Sequence, residues 1–83
     1  MEEHNFGWAL LQLRSGLSVY RESWNGKGQN ITLQVPDSNS KMTTPYMYIT
    51  TVQGDRVPWV PSQTDALATD WNIIYIGKKN DNK

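Results

Sequence analysis

With 83 residues the chain has room for one domain, and a chain of this size buries only about 60% of the surface its unfolded form exposes, so a thin core and a covering second copy are expected. Eight Lys plus Arg balance eight Asp plus Glu, which removes the basic footprint that a nucleic-acid polymer requires; the one dense basic run is Lys78, Lys79 and Lys83 in a polar tail. The absence of cysteine excludes disulfides, Cys-ligated zinc and thiol nucleophiles, and no apolar run approaches the roughly 18 residues of a membrane span, so a soluble cytosolic protein without membrane contact is expected.

Asn5 precedes FGWALLQLRSG, in which Phe6, Ala9, Leu10, Leu13 and Leu17 recur at helical spacing with Trp8 and Leu11 at the edge of the stripe. Asn5 suits an N-cap and Gly16 a stop, so a helix is predicted over about Phe6 to Ser15. LSVYRESW then alternates with a period of two and reads as a short strand. Asn25 and Gly26 form a strong two-residue hairpin signal, and QNITLQV alternates Ile31, Leu33 and Val35 against Thr32 and Gln34, which predicts a second strand antiparallel to the first. Residues 36–44 are a polar loop. PYMYITTV is a third strand, QGD a turn, and RVPWVP an edge strand or ordered loop, because Pro58 and Pro61 cannot donate to a ladder. Ser62 and Asp65 have capping-box spacing and open a short helix over TDALATD. WNIIYIG closes the fold as a last strand. The sum is an α+β domain over residues 1–77: an N-terminal helix, an antiparallel sheet and a short second helix before the last strand, with residues 78–83 as tail.

The residues of a catalyst are nearly missing. His4 is the one histidine and is expected on the surface without a role, so no triad can be assembled. A carboxylate pair can be drawn from Asp55, Asp65 and Asp70, but spacing alone brings no two of them together, and Asp65 already has an explanation as a first-turn helix residue. WNGKG does not meet the P-loop pattern, although exposed turn N–H groups beside an ammonium can hold a phosphate.

The four tryptophans are the informative residues. Trp8 lies in the amphipathic helix and reads as core or subunit interface. Trp24 adjoins a turn and Trp59 lies between prolines, so both are candidates for half-exposed rings that stack a base; Trp71 begins the last strand and fits either role. Aromatic faces for a base, Asn, Gln, Ser and Thr for base edges and ribose, and Arg21, Lys27 or backbone N–H groups for phosphates together suit a nucleotide-sized ligand without machinery for turnover.

The order and spacing of NFGWALLQLRSGLSVYRESWNGKG and YMYITTVQGDRVPWVPSQTDALATDWNII resemble the phage Thoeris anti-defense 2 family over about residues 5 to 74. The most specific segments are R-x-x-W-N-G-K-G and W-V-P-S-Q-T-D-x-L-A-x-D-W; the family usually carries a small residue where this chain has Pro61. The resemblance implies a sponge in the infected host's cytoplasm. Such a protein binds the cyclic ADP-ribose isomer, glycocyclic ADP-ribose, made by a Thoeris TIR-domain protein, so that the NAD-depleting effector is not triggered; some relatives also hold cyclic dinucleotides. It further implies a homotetramer with nucleotide pockets between protomers, no cofactor, no metal and no catalysis. The ligand set expected on this basis is Phe6, Arg21, Trp24, Asn25, Gly26, Lys27, Trp59, Ser62, Gln63, Thr64, Asp65 and Trp71, with stacking on Trp24 or Trp71 and phosphate or ribose contacts from Arg21, Lys27 and the turn N–H groups of Ser62 to Asp65. Two rival readings stand beside it: a small phage inhibitor that covers a host protein with the same aromatic residues, and a hydrolase that destroys the signal and would depend on Asp65 or Asp70.

Overall fold

A computed structural model describes residues 4–24 and 28–74. Helix α1 (Phe6–Arg14) starts where the Asn5 side chain accepts the Trp8 N–H at 2.9 Å. Its end is a Schellman arrangement: the Leu17 N–H reaches the Gln12 carbonyl and the Gly16 N–H the Leu13 carbonyl, each at 3.0 Å, with Gly16 at φ +92°. A side chain at Gly16 would be strained there, which is why the helix stops at this residue. Ala9 and Leu13, four positions apart, form its buried stripe. Leu17 is no longer part of that stripe, since the chain has left the helix before reaching it, and it is 37% exposed.

Four further elements follow as strands: β1 (Ser18–Arg21), β2 (Asn30–Gln34), β3 (Tyr46–Thr50) and β4 (Arg56–Pro58). Helix α2 (Gln63–Leu67) precedes β5 (Trp71–Ile74). The five strands form one antiparallel sheet in the order β4-β3-β2-β1-β5. The α+β expectation holds, and β4 is an edge strand as its prolines require. The predicted hairpin turn at Asn25 and Gly26 lies outside the described residues; on either side of it β1 and β2 are antiparallel neighbours with Val19 opposite Ile31.

The first strand and the second helix both end earlier than expected, for one reason. The first strand was predicted to reach Trp24, but it ends at Arg21 because the Glu22 N–H turns to the Asp70 carbonyl and the Trp24 N–H folds back to the Arg21 carbonyl. The second helix was predicted to reach Asp70, but it ends at Leu67, and Ala68 is extended with ψ 155°. Asp70 is needed beside β1, so the helix cannot continue through it.

Cross-strand pairing aligns Ile73, Val19, Ile31, Ile49 and Val57 in one row across all five strands. Both helices lie on this side, and Ala9, Leu13, Val19, Ile31 and Trp71 form the core. The other face carries Ser18, Tyr20, Thr32, Gln34, Tyr46, Tyr48 and Asn72, polar and aromatic residues that remain partly exposed. Among the described residues no helix covers it.

His4, expected to be an idle surface residue, instead ties the N-terminus to β5. Its ring stacks on Trp8 at 3.8 Å between centroids, its Nδ1 donates to the Trp71 carbonyl at 2.9 Å, and its own carbonyl accepts the Trp71 N–H at 3.1 Å.

Candidate functional site

The connection from β4 through α2 to β5 crosses from one edge of the sheet to the other, and that crossing assembles the site. It carries Trp59, Ser62 and Asp65 to the end of the sheet where α1 begins and β1 ends. Around Trp71 the rings of Phe6, Trp24 and Trp59 lie at centroid distances of 5.4, 5.6 and 6.1 Å, and Phe6 and Trp59 are 6.4 Å apart. Trp24 and Trp59 both meet Trp71 edge-on, the arrangement that the ring quadrupole favours.

These four rings are not equivalent. Trp71 is 1% exposed and its indole N–H donates to the Asp65 carbonyl at 3.1 Å, so both of its faces are already covered by the chain. The expectation that Trp71 stacks a base is therefore corrected: a platform needs a free face, and this ring is the centre of the core. Phe6, Trp24 and Trp59 are half-buried and pack on that centre, which holds their rings while leaving part of each accessible.

Arg21 stands beside the aromatic group. Its Nη1 donates to Asp65 Oδ1 and its Nε to Asp70 Oδ1, each at 2.9 Å, and its side chain is 14% exposed. Asp70 Oδ2 also accepts the Ser23 N–H at 3.0 Å. For both carboxyls burial alone pushes the pKa up, but the hydrogen bonds from Arg21, with Ser62 at Asp65 and Ser23 at Asp70, prevail and hold it below the usual value. Arg21 itself is held above its ordinary value, foremost by the Asp70 hydrogen bond, against the opposing effect of burial. The carboxylates that spacing could not pair are thus brought together by a guanidinium between them; Asp55 lies apart, in the β3–β4 turn, where its carbonyl accepts the Thr51 N–H.

The capping box is formed as predicted: Ser62 Oγ accepts the Asp65 N–H at 3.1 Å and Asp65 Oδ2 accepts the Ser62 N–H at 3.2 Å. Two of the turn N–H groups expected to meet a ligand are therefore engaged within the turn. Gln63 and Thr64 follow on the exposed first turn of α2. Asn25, Gly26 and Lys27 lie outside the described residues. Of the expected set, the structure brings Phe6, Arg21, Trp24, Trp59, Ser62, Asp65 and Trp71 into one cluster. Asp70 and Ser23 belong to it as well, outside the expected ligand set; the sequence offers Asp70 only as one of three carboxylates that could pair and as the residue before Trp71, and gives no signal for Ser23.

A separate open depression of about 130 Å³ lies on the helix-free side at the β3–β4 edge, lined by Gln34, Tyr46, Tyr48, Arg56, Val57 and Pro58. There Arg56 sits 5.7 Å from the centre of the Tyr48 ring, within cation–π range. Among the described residues no group of three or more His, Cys, Asp or Glu side chains is placed to hold a metal ion, and no helix is long and apolar enough to cross a membrane.

Residues 4–74 match the family described as the Thoeris anti-defense 2-like domain. The chain is also 36% identical over 83 residues to Thoeris anti-defense 2 of Bacillus phage SP01, an alignment that covers 84% of this chain and 93% of that protein. The matched span contains every element described above, from the His4 tie to the end of β5, and with it the aromatic cluster and its ion pairs. On this evidence the chain belongs to the Thoeris anti-defense 2-like family.

Proposed function

We propose that the protein is an anti-defense sponge: it binds the cyclic ADP-ribose signal, glycocyclic ADP-ribose, made by a Thoeris TIR-domain protein in the infected bacterial cytoplasm and holds it uncleaved, so that the NAD-depleting effector stays inactive. The observation that carries this reading is the convergence of Phe6, Trp24 and Trp59 on the buried Trp71, beside the capped N-terminus of α2. Half-buried rings on a fixed support suit the stacking of a base, which contributes about 1–3 kcal/mol per base.

In this reading Trp24 and Trp59 hold the adenine with Phe6 nearby, Gln63 and Thr64 meet ribose hydroxyls, and Asn25, Gly26 and Lys27 supply hydrogen bonds and positive charge to the pyrophosphate. Nothing in this cast is required to break a bond. The action is mass action alone: to outcompete an effector the protein must bind on the nanomolar scale, about −12 kcal/mol, and outnumber the signal. A homotetramer with pockets completed by neighbouring protomers fits a chain with a thin core and a sheet face that no described helix covers. Cyclic dinucleotides are a second ligand class for the assembly.

The test is calorimetric titration with glycocyclic ADP-ribose and cyclic dinucleotides, followed by heating and chromatography of what is released. Tight binding and an unchanged ligand support sequestration. An altered product supports the hydrolase reading, and no heat from any nucleotide supports the protein-inhibitor reading.

A further inference from the structure

We infer that Asp70 is the positioning residue of this site: it fixes the turn that presents Trp24, and Arg21 acts through Asp70 rather than on a bound ligand. Three of its oxygen contacts converge on one short turn. Asp70 Oδ1 takes the Arg21 Nε–H at 2.9 Å, Oδ2 takes the Ser23 N–H at 3.0 Å, and its carbonyl takes the Glu22 N–H at 2.9 Å. The Trp24 N–H then closes the turn on the Arg21 carbonyl at 3.1 Å. Residues 21 to 24 are thus held through a residue almost fifty positions away, and the next residue, Trp71, supplies the ring against which Trp24 packs at 5.6 Å. One dipeptide, Asp70-Trp71, therefore holds both the backbone and the indole of Trp24.

Electrostatics separate this role from a phosphate contact. Arg21 is one positive charge between two carboxylates, so the group as a whole carries one net negative charge (+1 − 2 = −1). Such a group repels a pyrophosphate. Swinging the guanidinium onto a ligand phosphate would also leave Asp65 and Asp70, whose side chains are 15% and 29% exposed, unpaired beside a new anion.

The inference makes a prediction that needs no ligand and a second that rests on the proposed function. Crossed indoles this close give an exciton couplet in circular dichroism, and the part that Trp24→Phe removes reports the Trp24–Trp71 pair. Asp70→Asn and Arg21→Gln are expected each to lose that part while a cooperative thermal melt persists; a couplet unchanged in Asp70→Asn overturns the inference. In titrations with glycocyclic ADP-ribose, each single variant is expected to bind about tenfold or more weakly, and the double variant within about threefold of the weaker single, since coupled groups are not additive. If Arg21 instead touches the ligand, Asp70→Asn frees the guanidinium, removes a negative charge and binds as tightly as the parent or more so, which refutes the inference. Should either variant fail to fold, Arg21→Lys gives the same decision: an ammonium can meet a phosphate but cannot bridge two carboxylates as the planar fork does, so loss of the couplet and of affinity supports positioning, and retention of both contradicts it. If the parent protein binds no cyclic nucleotide, the sponge reading fails and the couplet alone decides the role of Asp70.

Discussion

The two ends of the sheet are built from similar residue types and put them to opposite uses. Along the row of aligned aliphatics, Val19 and Ile31 at the β1–β2 centre are 0% exposed, whereas Val57 on β4 is 45% exposed. At the β1–β5 end Arg21 is enclosed between two carboxylates and Trp71 is buried; at the β3–β4 end Arg56 lies over Tyr48 in the open. An arginine and a set of aromatics therefore do not by themselves mark a binding site. What distinguishes the β1–β5 end is that α1, α2 and the β4–α2 connection all meet there, so each partly exposed ring has a fixed neighbour behind it.

Substitutions at the two ends should therefore differ steeply. Trp71→Ala is expected to have the largest effect, about 3–5 kcal/mol, because it removes the centre of the core; that approaches the whole stability of a small domain. Denaturant unfolding measures it, and a Trp71→Ala variant no less stable than Trp24→Ala would mean that the core is not centred there. Acid should act next. Asp65 and Asp70 titrate below their ordinary value in the folded chain, so their stabilising contribution is complete above about pH 5 and is lost as the pH falls toward and through the depressed folded-state values. Melting temperatures taken at descending pH should drop in this range, and the drop should be shallower in Asp70→Asn; equal slopes would argue against the ion pairs.

Ser62→Ala should cost about 1 kcal/mol by removing the cap of α2, read as a lowered melting temperature. The effect tests whether so short a helix depends on its capping box. Arg56→Ala at the opposite end should change stability by no more than about 0.5 kcal/mol, since an exposed cation–π contact contributes little. A larger loss there would erase the contrast between the ends.

Local signals in the sequence were enough wherever the structure is local. Asn5 and Gly16 mark both ends of α1, Ser62 and Asp65 form the capping box that their spacing announces, and the prolines of RVPWVP do confine β4 to an edge. The failures are non-local. A tryptophan at the start of a strand looks the same whether it faces a ligand or the core, and only the packing of Phe6, Trp24 and Trp59 around Trp71 decides. Asp70 gave no helix-ending signal, because what stops α2 short of it is a set of hydrogen bonds to β1, whose partners lie almost fifty residues earlier. His4 is hard to read for a similar reason: its ring stacks on nearby Trp8, but the hydrogen bonds that tie it down come from β5, at the other end of the described chain.

The most direct test of the account compares Trp24→Ala and Arg56→Ala in titrations with glycocyclic ADP-ribose, with thermal melts to show that both variants are folded. The account predicts that Trp24→Ala weakens binding by about tenfold or more while Arg56→Ala binds like the parent protein. Unchanged affinity in Trp24→Ala together with a loss in Arg56→Ala would contradict it and move the binding site to the open β3–β4 edge.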